Sequence, residues 1–156
     1  MQVKEIMTKE VIRVKRSTTL TELIEYFKEF HTFPLVPVVD ENGRLIGIVS
    51  FRNLMDIFRP RQPQILKSAP FVDEVAEDIF KAELTSEMGD LIIVDDIMEK
   101  NFFSIDEEAS LEDAYNLMRL HSIEKLHVVD REGKLVGFVG IFDIIMSIFR
   151  EKGIVR

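Results

Sequence analysis

Two short stretches carry the residue types that can grip a charged small molecule. Gly47-Ile48-Val49-Ser50-Phe51-Arg52-Asn53 and Gly137-Phe138-Val139-Gly140-Ile141-Phe142-Asp143 each run from β-prone residues into a helical pattern. Backbone N–H groups at a helix start are unpaired and carry partial positive charge, so a phosphate is welcome there. A junction hydroxyl, Ser50 in the first stretch, can donate a further bond. A carboxylate three residues on, one turn into the helix, offers two acceptor oxygens and can take both hydroxyls of a ribose. The first stretch has the hydroxyl, but Asn53 has one acceptor oxygen; the second has the carboxylate Asp143, but Gly140 has no hydroxyl. A helix without any ligand uses the same residues, with Ser50 as N-cap and Asn53 or Asp143 in the first turn. Both readings stand at this level.

Hydroxyl pairs are discriminated by buried acceptors, whereas phosphate can be held by various donors, which favours Asp143 for a ribose. The candidate donors are Arg52, Lys125, His31 and His121. His31 and His121 fall at matching positions near the end of a predicted helix, where a cation also suits the helix dipole. Phe102, Phe103 and Phe142 offer either an apolar slot for a purine ring or ordinary core packing.

Other chemistries find little support. The three histidines lack metal-type spacing, and no Gly-x-x-x-x-Gly-Lys-Ser/Thr phosphate loop is present. Asp95-Asp96 and Asp73-Glu74 are adjacent on predicted helices, so their side chains diverge and do not form an acid–base pair. With no cysteine there is no thiolate nucleophile, disulfide or thiolate metal site. These patterns predict no catalysis, no catalytic cofactor and no metal. A net charge of −8 argues against nucleic acid, whose backbone is bound by neutralising phosphates with Lys and Arg. A 46% apolar and 31% charged composition fits a globular chain. No apolar run approaches the roughly 18–20 residues that span a bilayer, and no secretory signal opens the chain, which predicts no membrane and a cytoplasmic location.

The elements that must position these stretches are written twice. Lys4-Glu5-Ile6-Met7 recurs as Asp95-Asp96-Ile97-Met98, and Val38-Val39-Asp40-Glu41-Asn42-Gly43 recurs as Val128-Val129-Asp130-Arg131-Glu132-Gly133. Two segments copied in the same order indicate duplication. Each copy opens with a β-rich run, Val11–Val14 or Phe102–Ile105. A helix follows whose apolar residues are spaced 0, 3, 4 and 7: Leu20, Leu23, Ile24 and Phe27, then Leu111, Ala114, Tyr115 and Met118. Thr19 and Ser110 stand before these helices as N-caps. Two apolar runs then flank a short loop ending in Gly43 or Gly133, which predicts a hairpin. A second helix closes each copy, over Phe51–Phe58 or Ile141–Phe149. Each unit of about 50–60 residues is too small for an independent core, so the pair should pack face to face. The expected division is residues 1–58, a connector over 59–93, residues 94–150 and a tail over 151–156. The connector carries a predicted helix from Val72 to Met88 with Val72, Val75, Ile79 and Leu84 on its apolar side.

The order of these pieces resembles the CBS (cystathionine-β-synthase-type) motif family in its tandem arrangement, the Bateman module. The likeness is carried by Ile6-Met7-Thr8 and Ile97-Met98-Glu99, by Leu35-Val36-Pro37-Val38-Val39-Asp40 and Leu126-His127-Val128-Val129-Asp130, and by the two junction stretches above. The resemblance implies an α/β (α+β) fold of two β-α-β-β-α motifs packed with pseudo-two-fold symmetry. It implies a regulatory module that binds an adenosine-containing ligand (AMP, ADP or ATP) in clefts between the motifs. Such modules form homodimers through their helices and signal by a packing change to a separate, unidentified regulated protein. The clefts would be lined by Ile12, Arg13, Pro37, Ser50, Arg52 and Asn53 in the first motif. In the second they would be lined by Phe103, Ser104, Lys125, His127, Gly140, Phe142 and Asp143, with His31 and His121 as further phosphate contacts. His127 stands where the family pattern and the first motif have proline. Alternatives of another class are a ligand-free assembly scaffold and a binder of S-adenosylmethionine or nucleic acid.

Overall fold

The computed structural model describes residues 1–59 and 79–156. The first half holds α1 (Leu20–Phe27), β1 (Val36–Val39), β2 (Leu45–Val49) and α2 (Phe51–Met55). Two short helices follow, α3 (Met88–Leu91) and α4 (Val94–Ile97). The second half then holds β3 (Ser104–Asp106), α5 (Leu111–Leu120), β4 (Lys125–Val129), β5 (Leu135–Gly140) and α6 (Ile141–Glu151). Both copies thus share a helix–strand–strand–helix order in a mixed α+β fold, and the second adds a leading strand.

The first helix of each copy starts where its cap requires. The Thr19 hydroxyl accepts from the Glu22 N–H at 3.2 Å, and the Ser110 hydroxyl accepts from the Asp113 N–H at 3.0 Å. Leu23 and Phe27 of α1, and Ala114 and Met118 of α5, are buried. Ile24 and Tyr115, on the same predicted stripes, stay partly outside the core. β1 pairs antiparallel with β2, and β4 pairs antiparallel with β5 and parallel with β3. Gly43 (φ 81°) and Gly133 (φ 83°) adopt the left-handed backbone that the hairpin loops demand. The Asp40 carboxylate accepts from the Asn42 and Arg44 N–H groups across its loop, and Asp130 does the same for Glu132 and Lys134.

Five elements differ from the ranges the sequence predicts. The run Val11–Val14 is not a strand; only Val14 pairs, in a parallel bridge to Val38. Its counterpart is a strand that begins at Ser104, leaving Phe102 and Phe103 outside. The helix predicted over Phe51–Phe58 is α-helical only to Met55 and tightens into a 3-10 turn over Asp56–Phe58, whereas α6 runs on to Glu151. In the connector, Val72 and Val75 lie outside the described residues. The remainder of the predicted helix is interrupted: a 3-10 turn covers Ile79–Lys81, Leu84 is non-helical and α3 begins only at Met88.

The two halves exchange their leading segments. Val3 donates its N–H to the Ala109 carbonyl at 2.8 Å and Leu111 donates to the Met1 carbonyl, so the opening of the first copy is tied to the second half. Reciprocally, Val94 donates to Thr18 at 2.8 Å and Leu20 donates to Ile92. The buried side chains follow. Val3 joins Ile105, Ala114, Met118, Leu126, Val128, Val139 and Ile144, while Val94 joins Val14, Leu23, Phe27, Val36, Val38 and Val49. Each core is therefore completed by a residue of the other copy. The hairpin tips meet as well, through Leu45 N–H to Gly133 C=O and Leu135 N–H to Gly43 C=O. These mirrored bonds give the pseudo-two-fold relation its physical content.

Candidate functional site

Each candidate stretch sits at the end of β2 or β5, the last strand of its sheet, and the first turn of the following helix. At the second junction, the Gly140 N–H donates to Asp143 Oδ2 at 2.8 Å. At the first, the Ser50 N–H donates to Asn53 Oδ1 at 2.7 Å, and the Ser50 hydroxyl donates to the same oxygen at 3.2 Å. The fold therefore uses both polar residues locally, as the ligand-free reading of the sequence required. The difference lies in what remains. The single oxygen of Asn53 already accepts two bonds, whereas Oδ1 of Asp143 is left available by the bond that Oδ2 takes. Ser50 occupies the N-cap position, but its hydroxyl is spent on Asn53 rather than on a backbone N–H.

Lys125 lies directly across the β4–β5 ladder from Gly140, and its ammonium sits 3.9 Å from the centre of the Phe138 ring. Burial lowers its pKa, and the nearby Asp143 charge works in the opposite direction. Lys125, Gly140 and Asp143 thus form one half-buried group bearing a cation, a carboxylate and the start of an eleven-residue helix.

The other predicted residues are placed less simply. Ser104 is brought opposite His127 by the parallel pairing of β3 and β4. His127 is 1% exposed, as fully enclosed as Pro37 at the matching place, so neither presents a surface that a ligand can reach. Burial, and then the Lys125 charge, push the His127 pKa down to about 4. Phe103 does not form an open slot, because the His121 ring stacks on it at 3.8 Å. Phe142 is 67% exposed and encloses nothing. His121 is the C-cap of α5, but α1 is shorter and ends before Lys28, so His31 lies beyond the helix on an exposed bend. Ile12, Arg13 and Arg52 are exposed; Arg13 Nη1 donates to the Leu135 carbonyl at 3.4 Å, bridging the halves.

A concavity of about 1250 Å³ lies elsewhere, between α5 and α6. Leu111, Tyr115, Met118, Ile144, Ile145 and Ile148 line it together with Met1. On the first half, α3 approaches α1 with Gly89 against Thr21, and a smaller cavity of about 350 Å³ is lined by Leu20, Ile24, Leu84 and Met88. The signal for this groove was present in α6, which is apolar on more than one face through Ile141, Phe142, Ile144, Ile145, Met146, Ile148 and Phe149.

The sequence profile of the CBS domain matches residues 3–59 and 94–150. The chain belongs to the CBS domain family. A CBS domain-containing protein of Dictyostelium discoideum is 29% identical over 144 residues, covering 92% of this chain and 88% of that protein. Among solved structures, CBSX2 in complex with AMP superposes with a TM-score of 0.68 at 25% identity, covering 97% of this chain and 98% of that one. The cytosolic domain of the Mg2+ channel MgtE in complex with ATP superposes at 0.65, also at 25% identity, covering 94% of this chain and 48% of that one. The two CBS motifs here therefore share their pairing with structures that hold adenine nucleotides. No helix among the described residues is long and apolar enough to cross a membrane.

Proposed function

We propose that this CBS pair is a cytoplasmic regulatory module that binds an adenine nucleotide at the Lys125–Gly140–Asp143 junction and passes its occupancy to a separate protein through a change in packing. The observation that supports this most directly is Asp143, whose Oδ1 is left for a ribose while Oδ2 holds the Gly140 N–H. Lys125 adds a half-buried cation for phosphate, and similar CBS pairs hold AMP or ATP. The first junction is the weaker site, because the Asn53 oxygen is committed twice.

Titration calorimetry with AMP, ADP and ATP tests the assignment. Hydrogen bonds to a charged group contribute about 1.5–3 kcal/mol, so Asp143→Ala should weaken binding roughly ten- to a hundredfold while the fold persists. Unchanged affinity would remove Asp143 from the site.

The groove between α5 and α6 supports a homodimer as part of the same reading. It leaves Tyr115, Ile145 and Ile148 partly in water on one side of the molecule, whereas the cavity on the first half is smaller. Ile145→Glu should convert the dimer to a monomer in sedimentation velocity; a wild-type chain that sediments as a monomer at all concentrations would refute the assignment.

A further inference from the structure

The second half contains a buried group that the ligand reading leaves idle. His127 is 1% exposed, and its Nε2 has no hydrogen-bond partner among the described residues. It lies in β4, the central strand of its sheet, with Ser104 opposite on β3 and Phe138 opposite on β5. Neither neighbour can take up a positive charge as a carboxylate would. The charged group nearest along the same face is Lys125, a second cation, two residues away on the same strand. Asp143 at the start of α6 acts on Lys125, and Asp106 at the end of β3 is exposed. From the first half, Arg13 donates to the Leu135 carbonyl on β5. A proton on His127 would therefore be buried, with Nε2 lacking a partner, under the influence of the Lys125 cation. At the matching position the first half has Pro37, which cannot take up a proton.

We propose that His127 makes the folding of the second half sensitive to acid. The direction follows from linkage. A base whose folded pKa lies near 4, against 6.5 when exposed, leaves the unfolded chain holding more protons between those values. Stability conferred by neutral His127 is complete above pH 6.5 and is lost as pH falls toward 4. The unfolding constant should rise by up to tenfold per pH unit, toward a limit of about 300-fold below both values.

Urea unfolding of the full chain at pH 7.5 and 5.0 tests this, with His127→Gln and His127→Val as non-titrating versions. Wild type should gain about 30-fold more in its unfolding constant than either variant across that interval. Amide protection factors over Ser104–Asp106 and Leu135–Gly140, corrected for the intrinsic exchange rate at each pH, should fall in acid more in wild type than in either variant. Equal pH dependence in all three proteins would overturn the proposal, even where one variant folds poorly and only the other can be compared.

Discussion

Val94→Asp should unfold the first half of the molecule, although Val94 belongs to the second copy in sequence. Val94 is fully buried among Val14, Leu23, Phe27, Val36, Val38 and Val49. A carboxylate placed there has no partner, and such a charge costs several kcal/mol even after relaxation. A domain of this size has about 5–15 kcal/mol in total, so the loss is a large part of what holds it together. The twin substitution, Val3→Asp, puts the same charge beside Leu126, Val128 and Ile144 in the second half. Native-state amide exchange separates the two. Val94→Asp should first deprotect Leu23 and Val38, and Val3→Asp should first deprotect Leu126 and Val128. If Val94→Asp instead loosened the second core and left the first protected, the exchange of segments would be wrong.

Gly137→Ala should be nearly as damaging for so small a change. A Cβ at Gly137 would come within 2.6 Å of the Thr8 carbonyl oxygen and 3.1 Å of Met7 Sδ. Thr8 cannot step aside freely, because its N–H and C=O are both bonded to Phe138 at 2.9 Å. Overpacking of this kind costs about 1–3 kcal/mol. At roughly 2–4 °C per kcal/mol for a chain of this length, Tm should fall by about 2–12 °C. Gly140→Ala is the internal comparison: its added Cβ would find nothing nearer than Asp143 Oδ2 at 3.5 Å, an ordinary contact. Thermal melts in which both substitutions act equally would mean that the Met7–Thr8 segment does not clamp β5.

Much of the architecture was legible because its signals are local. The caps Thr19 and Ser110, the glycines Gly43 and Gly133 and the helical spacing of Leu23 with Phe27 all act within a few residues of themselves. The recurrence of Ile6-Met7 as Ile97-Met98 revealed a copied unit. It did not reveal which core each copy fills, since a repeat is the same string whether its lead segment folds back or crosses over. Val11–Val14 was read as a strand from composition alone, yet only Val14 finds a neighbouring backbone to pair with. The candidate site divided along similar lines. Asp143 and Lys125 were read from residue type and do come together, because the β4–β5 register sets Lys125 opposite Gly140. His127 was expected at a cleft wall, and its enclosure depends on the sheet around it, which no window of neighbours encodes. Phe103 looked free to face a purine, and only the turn after α5 brings His121 over it.

The crossing of lead segments has a counting consequence. A solitary copy would present a vacant slot where Val3 or Val94 belongs and an orphaned arm with nowhere to insert. A third copy appended to the pair would leave one slot and one arm unmatched. An even number of copies is therefore what leaves no slot and no arm unmatched.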